Sequence, residues 1–167
     1  MSLLAFDAAT LTALVNDLLA SSHQAKVQAI AVVRVGDRVR LTLSGVRTGL
    51  TVFGMAVPPI DADLLLQGVW AEGRLTLVWE VEALRGVPAM AAKVVGKPAL
   101  AKIIREALGD RWGCGQALSA TESGDLVVEP GKLQIPGWRG LVLHSLSLPG
   151  PDAYVVSADF AWKSGLA

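Results

Sequence analysis

Leucines and valines recur along this chain at two different periods, and the switches between those periods predict its elements. Leu11, Leu14, Val15, Leu18 and Leu19 fall at i, i+3, i+4, i+7 and i+8, a single apolar helical face with Thr12, Asn16 and Asp17 opposite. Asp7 precedes them as a natural N-cap, because its carboxylate can accept from the unpaired amides of a first turn. This helix is expected to end at 21–23. The period then drops to two: Val27, Ala29, Ala31, Val33 and Val35 alternate with mostly larger or polar residues, as in a half-buried strand. Gly36-Asp37 follows, and Val39, Leu41 and Leu43 alternate with Arg38, Arg40, Thr42 and Ser44. Glycine at the first turn position predicts a two-residue type II′ hairpin.

Gly49, Gly54 and Pro58-Pro59 break any regular period in the next stretch, which predicts a short strand over 50–53 and then a loop. Asp61 and Asp63 are expected in that loop. A strand over 64–70 turns at Ala71-Glu72-Gly73 into a second, in which Leu75, Leu77, Trp79 and Val81 alternate with mostly polar residues. From Val87 the helical period returns. Pro88 can open a helix, and Gly96 and Pro98 should interrupt it. Leu100, Ile103, Ile104, Ala107 and Leu108 repeat the spacing of the first helix, and Gly109 is placed as its left-handed terminator. Beyond Ala117 the glycine and proline punctuation predicts strands over 118–122, 126–129, 132–135, 141–148 and 154–162.

This order predicts one α+β domain spanning 1–167, a mainly antiparallel sheet packed on about two amphipathic helices. Composition sharpens the picture. Hydrophobic residues make up 52% of the 167 and charged residues only 18%, below the usual ~25%. The surplus of apolar side chains must fill a larger core, an oligomer interface or an apolar ligand pocket. With 15 basic against 15 acidic residues there is no cationic excess to track phosphates. Arg34, Arg38, Arg40 and Arg47 cluster, but without interleaved aromatics and with Asp37 among them, so no nucleic-acid partner is expected. No apolar run approaches the ~20 residues of a bilayer-spanning helix, and the N-terminus lacks a basic region ahead of its apolar stretch. With one cysteine and hence no internal disulfide, a cytoplasmic location is expected.

Residues able to carry chemistry are few. His23 and His144 have no carboxylate or cysteine at ligand spacing, so neither a metal nor a cofactor is expected. Cys114 follows a predicted helix C-terminus, which opposes thiolate formation, and reads as a small buried hydrophobe. Glu80 and Glu82 share one strand face; a catalytic pair is conceivable, but a solvated sheet face gives the same pattern more often. Ser119, Ser123, Ser145 and Ser147 lack any nucleophile-elbow context. Five tryptophans against one tyrosine and three phenylalanines are less usual. Placed near element ends, they could line a pocket or interface, although core packing is the commoner use.

The run 73–81, the helix 98–108, Gly124-Asp125-Leu126-Val127-Val128 and Gly140-Leu141-Val142-Leu143, taken in order, resemble bacterial single-module members of the tubular lipid-binding (TULIP-like) superfamily. The resemblance spans about residues 25–162 as an arrangement of elements. It implies a strongly curved sheet wrapped on a helix and an apolar groove for acyl chains. Leu14, Leu18, Trp70, Leu77, Trp79, Leu100, Ile103, Ile104 and Leu143 would line that groove. Two departures stand out: those relatives are usually exported or membrane-anchored, and here Gly96 and Pro98 interrupt the helix. The expected function is non-enzymatic binding of a lipid or fatty acyl group. The alternative is an interaction protein whose apolar surface is covered by self-association or by a protein partner.

Overall fold

Period-two sequences bury one face only, so each predicted hairpin needs a partner layer, and the two long helices supply it for the larger sheet. The computed structural model describes residues 2–20, 26–87, 95–109 and 111–164. The predicted helix end at 21–23, His23 and the helix opening at Pro88 lie outside them.

A strand not expected from the sequence comes first, β1 (Ser2–Phe6), followed by α1 (Ala8–Ala20). Asp7 caps α1 as predicted, its Oδ1 accepting from Thr10 N at 2.7 Å. Then come β2 (Ala29–Val35) and β3 (Arg38–Val46), joined by Gly36-Asp37. Gly36 has φ 61°, and Asp37 is not among the residues of positive φ, as a type II′ turn requires. Two short strands, β4 (Thr51–Val52) and β5 (Met55–Ala56), form a small hairpin where a strand and loop were expected. The long pair β6 (Ile60–Ala71) and β7 (Arg74–Arg85) follows, and then α2 (Lys97–Leu108). A brief 3-10 turn (Arg111–Gly113) leads into α3 (Cys114–Ala117), β8 (Leu118–Ala120) and β9 (Leu126–Val128). The chain closes with β10 (Leu141–Ser147) and β11 (Val156–Trp162).

The strands form an antiparallel six-stranded sheet in the order β2-β3-β6-β7-β9-β8 and a three-stranded sheet in the order β1-β11-β10. One core joins the first sheet to both helices, with Leu43, Ile60, Leu64 and Leu100 almost wholly buried. Leu11, Val15 and Leu19 of α1 pack on it, whereas Leu14 is 39% exposed. From α2 the core takes Leu100, Ile103, Ile104 and Ala107.

Several expectations need correction. In β2 the inward residues are Ile30 and Val32, not the small set Ala29, Ala31 and Val33, because the larger side chains bury more apolar area. Thr12 and Asn16 do not face solvent; they bind the outer backbone of β2. Asp61 and Asp63 lie within β6, not in a loop. Asp61 Oδ1 accepts from Gly45 N at 2.9 Å, in the bulge where β3 slips against β6. Asp63 bonds Thr42 Oγ1 at 2.9 Å and Arg85 Nη1 at 2.5 Å. Residues 132–135 are not a strand: Pro130 opens a 3-10 turn, and Gln134 N–H then goes to the Trp112 carbonyl at 2.7 Å. Gly109 ends α2 at positive φ, but with φ 60° and ψ −155°, outside the left-handed helical region.

The two sheets meet at Gly68 of β6, whose N–H donates to Leu148 O just after β10 at 2.7 Å. A Cβ there would lie 2.9 Å from both Leu148 Cβ and Leu75 Cδ1, so glycine permits this approach.

Candidate functional site

The three-stranded sheet carries a continuous apolar face. Val156, Ala158, Phe160 and Trp162 of β11 alternate onto it, opposite Leu4 and Phe6 of β1 and Leu141, Leu143 and Leu146 of β10. A regular alternation over 141–148 would put His144 on one face with Val142, Leu146 and Leu148, and it fails at His144. A bulge between Leu143 and Ser145 leaves His144 out of the pairing, so Leu146 joins the face of Leu141 and Leu143. His144 itself is exposed, and its carbonyl accepts from Trp70 Nε1 at 3.1 Å. The bulge thereby turns three leucines to one side and ties β10 to the end of β6.

Over this face lies a cavity of about 350 Å³, closed on the other side by Val128, Pro130, Leu133 and Trp138. A second cavity of about 270 Å³ lies between the six-stranded sheet and the helices. Its walls include Leu11 and Val15 of α1, Ile104 and Leu108 of α2, and Leu41, Leu64, Leu66, Leu77 and Trp79 of the sheet. Every residue lining this inner space is apolar. Val128, Leu146 and Val156 line both cavities, so the two adjoin there. On the outer side the first cavity meets a surface pocket of about 490 Å³, sharing Pro130, Leu133, Trp138, Leu141 and Leu143 with it. This pocket adds Trp70, Gly73 and Arg139 and opens to solvent among exposed residues, one mouth of the series.

Of the candidate groove residues, Leu77, Trp79 and Ile104 line the inner cavity, Leu143 the outer one and the mouth, and Trp70 the mouth. Leu100 and Ile103 are core residues outside the lining, while Leu14 and Leu18 of α1 do not reach it. The outer half was missed because Leu4, Phe6, Val156 and Phe160 come from opposite ends of the chain. Only their pairing across β1 and β11 brings them together.

Four of the five tryptophans border these spaces, and of the four Trp79 is also a core residue. Trp79 is 4% exposed, donates from Nε1 to Gly124 O at 2.9 Å, and carries the Lys97 ammonium 5.3 Å from its ring centroid. Lys97 also pairs with Asp125, holding that carboxyl below its ordinary value. Trp138 and Trp162 line the outer cavity, and Trp70 and Trp138 the mouth. Trp112 stands apart, under the Arg111 guanidinium.

The other candidates find structural uses. Glu80 pairs with Arg38 at 2.8 Å and Glu82 with both Arg40 Nε and Nη2, at 2.7 and 2.8 Å, on the sheet face away from the helices. The Arg40 bond holds Glu82 below the usual carboxylate range, the opposite of what a general acid needs. Cys114 is half-buried and follows the 3-10 turn that comes after α2, at the start of the single-turn α3, with Gly113 before it at φ 75°. Among the described residues no three His, Cys, Asp or Glu side chains cluster as metal ligands, and no helix is long and apolar enough to cross a membrane. No protein-family model, curated protein or solved structure matches the chain.

Proposed function

We propose that this protein is a non-enzymatic module that binds an apolar ligand, a lipid or fatty acyl group, in the space between its sheets and helices. The observation that carries this is the wholly apolar inner cavity and its shared wall with the outer one. An engineered apolar cavity of about 150 Å³ already takes up benzene, and both spaces here are larger. An acyl chain in the inner space would gain about 0.8 kcal/mol per buried methylene. The resemblance to the tubular lipid-binding superfamily points the same way, with the curvature of its sheets as the expected means of enclosing the chain.

Titration with a brominated fatty acid tests this, because bromine quenches a tryptophan only at contact range. Quenching should saturate near one ligand per chain and lose amplitude in Trp138→Phe and Trp162→Phe. Absence of quenching at saturating ligand would sink the proposal.

A second reading, coverage by self-association or a partner, is favoured by the hairpin of β4 and β5, where Phe53 and Met55 are 80% and 70% exposed. A tight dimer in light scattering, losing its mass in Phe53→Ser, would favour that reading.

A further inference from the structure

We propose that the ligand is anionic at one end and that Arg139, at the mouth, is the group that selects that charge. This rests on the apolar-ligand role above and names the class of ligand. The inner cavity offers nothing polar, and among the described residues no buried side-chain nitrogen or oxygen lacks a partner. A polar head therefore gains nothing by entering and stays at a solvent-open end, and of the three adjoining spaces only the mouth has a charged residue in its lining. There Arg139 is the one charged residue of the lining. Arg38, Arg40, Arg74 and Arg85 are each held by a carboxylate, whereas Arg139 enters no ion pair among the described residues.

Its backbone is fixed for the task. Leu141 N donates to Trp138 O at 3.1 Å across a turn with Arg139 second and Gly140 third, Gly140 at φ 86°. Lys163 N donates to Gly140 O at 2.8 Å, tying this turn to the chain just after β11. A Cβ on Gly140 would stand 3.1 Å from that region's Lys163 O, so the glycine is needed twice over. Trp138 lines both the mouth and the outer cavity, so a chain leaving the cavity past its ring enters the space that Arg139 borders. The surroundings add to the field. Next to lining residues Gly73, Pro130 and Gly131, Arg74 and Lys132 share the single carboxylate of Glu129. With Glu72 of the neighbouring turn included, the rim holds three cations against two carboxylates. A carboxylate or a phosphate head would satisfy the same chemistry.

Binding of palmitate, of the equal-length alcohol hexadecanol and of hexadecyl phosphate to delipidated protein tests the proposal. At low salt the wild type should prefer the acid or the phosphate over the alcohol about fivefold, the scale of an ion pair at a solvent-open rim. Arg139→Gln should lower the anions to the affinity of the alcohol and leave the alcohol unchanged, and Arg139→Lys should keep most of the preference. The better of the two anions identifies the head. Equal affinity for acid, phosphate and alcohol in the wild type overturns the role of Arg139 while leaving an apolar-ligand module standing. No binding of any of the three overturns both.

Discussion

Asn16 of α1 takes both backbone hydrogen-bonding groups of Ile30 in β2, Oδ1 accepting from its N–H at 3.0 Å and Nδ2 donating to its carbonyl at 2.6 Å. One turn earlier, Thr12 Oγ1 accepts from Val32 N at 2.9 Å. The match is geometric. Four residues of helix rise about 6 Å and two residues of strand about 6.6 Å, so side chains at i and i+4 meet backbone groups at j and j−2. β2 is an edge of the six-stranded sheet, and an unpaired edge invites association with another strand. Here a helix does what a further strand would do.

Asn16→Ala should therefore cost about 2 kcal/mol, because it strands a backbone donor and acceptor. Urea unfolding should show a lower midpoint with the slope unchanged, and the variant should aggregate sooner on standing. A midpoint equal to wild type would mean that water replaces the side chain without penalty.

Thr12 and Asn16 also show why part of the fold was hidden from the sequence. Both sit opposite the leucine stripe of α1, where polar residues ordinarily meet water, and nothing local indicates that a strand edge lies beside them. The periods themselves were legible: the α2 face, the alternation of β7 and the Gly36-Asp37 turn all appear as the spacing predicts. What a period cannot carry is a slip in it. The His144 bulge reverses the side chains after Leu143, and β1 is too short to announce itself before β11 is in place. The candidate site follows the same division. Leu77, Trp79 and Ile104 of the inner lining belong to regular faces that a period reveals, whereas the outer cavity depends on β1, β11 and the bulge.

Gly68→Ala should loosen the seam between the two sheets. The added methyl meets Leu148 Cβ and Leu75 Cδ1 at 2.9 Å and the Leu148 carbonyl at 3.2 Å, so the sheets must part. Overpacking of this kind costs about 1–3 kcal/mol, measurable as a drop in thermal midpoint. An unchanged midpoint would show that β10 can retreat freely from β6.

Acid should destabilise the protein in a defined window. Asp63 is held below 3.8 first by its Arg85 bond, and Asp125 below 3.8 first by Lys97. Glu106 and Glu129 are held below 4.5 by Lys26 and Lys132. A carboxyl depressed in the folded state contributes fully above its unfolded value, and that contribution is lost as pH falls through the folded value. Stability should be level from neutrality to about pH 5 and decline below about 4.5. In Asp125→Asn the decline should be shallower, and a slope equal to wild type would show that the Lys97 pair contributes nothing.

Ala158 faces the outer cavity from the middle of β11, opposite Leu4 and Leu146. Ala158→Phe should fill the space, abolishing uptake of an acyl chain while leaving the thermal midpoint equal or higher, since a void is replaced by contacts. Wild-type uptake in a folded variant would place the ligand elsewhere.

Native mass spectrometry of the protein as purified, and again after organic extraction and addition of a fatty acid, bears most directly on the central claim. One acyl-bearing ligand per chain is expected, lost on extraction and regained on addition. A clean mass for the bare chain that stays unchanged when fatty acid is supplied would contradict it, and would leave a partner-covered apolar surface as the better explanation.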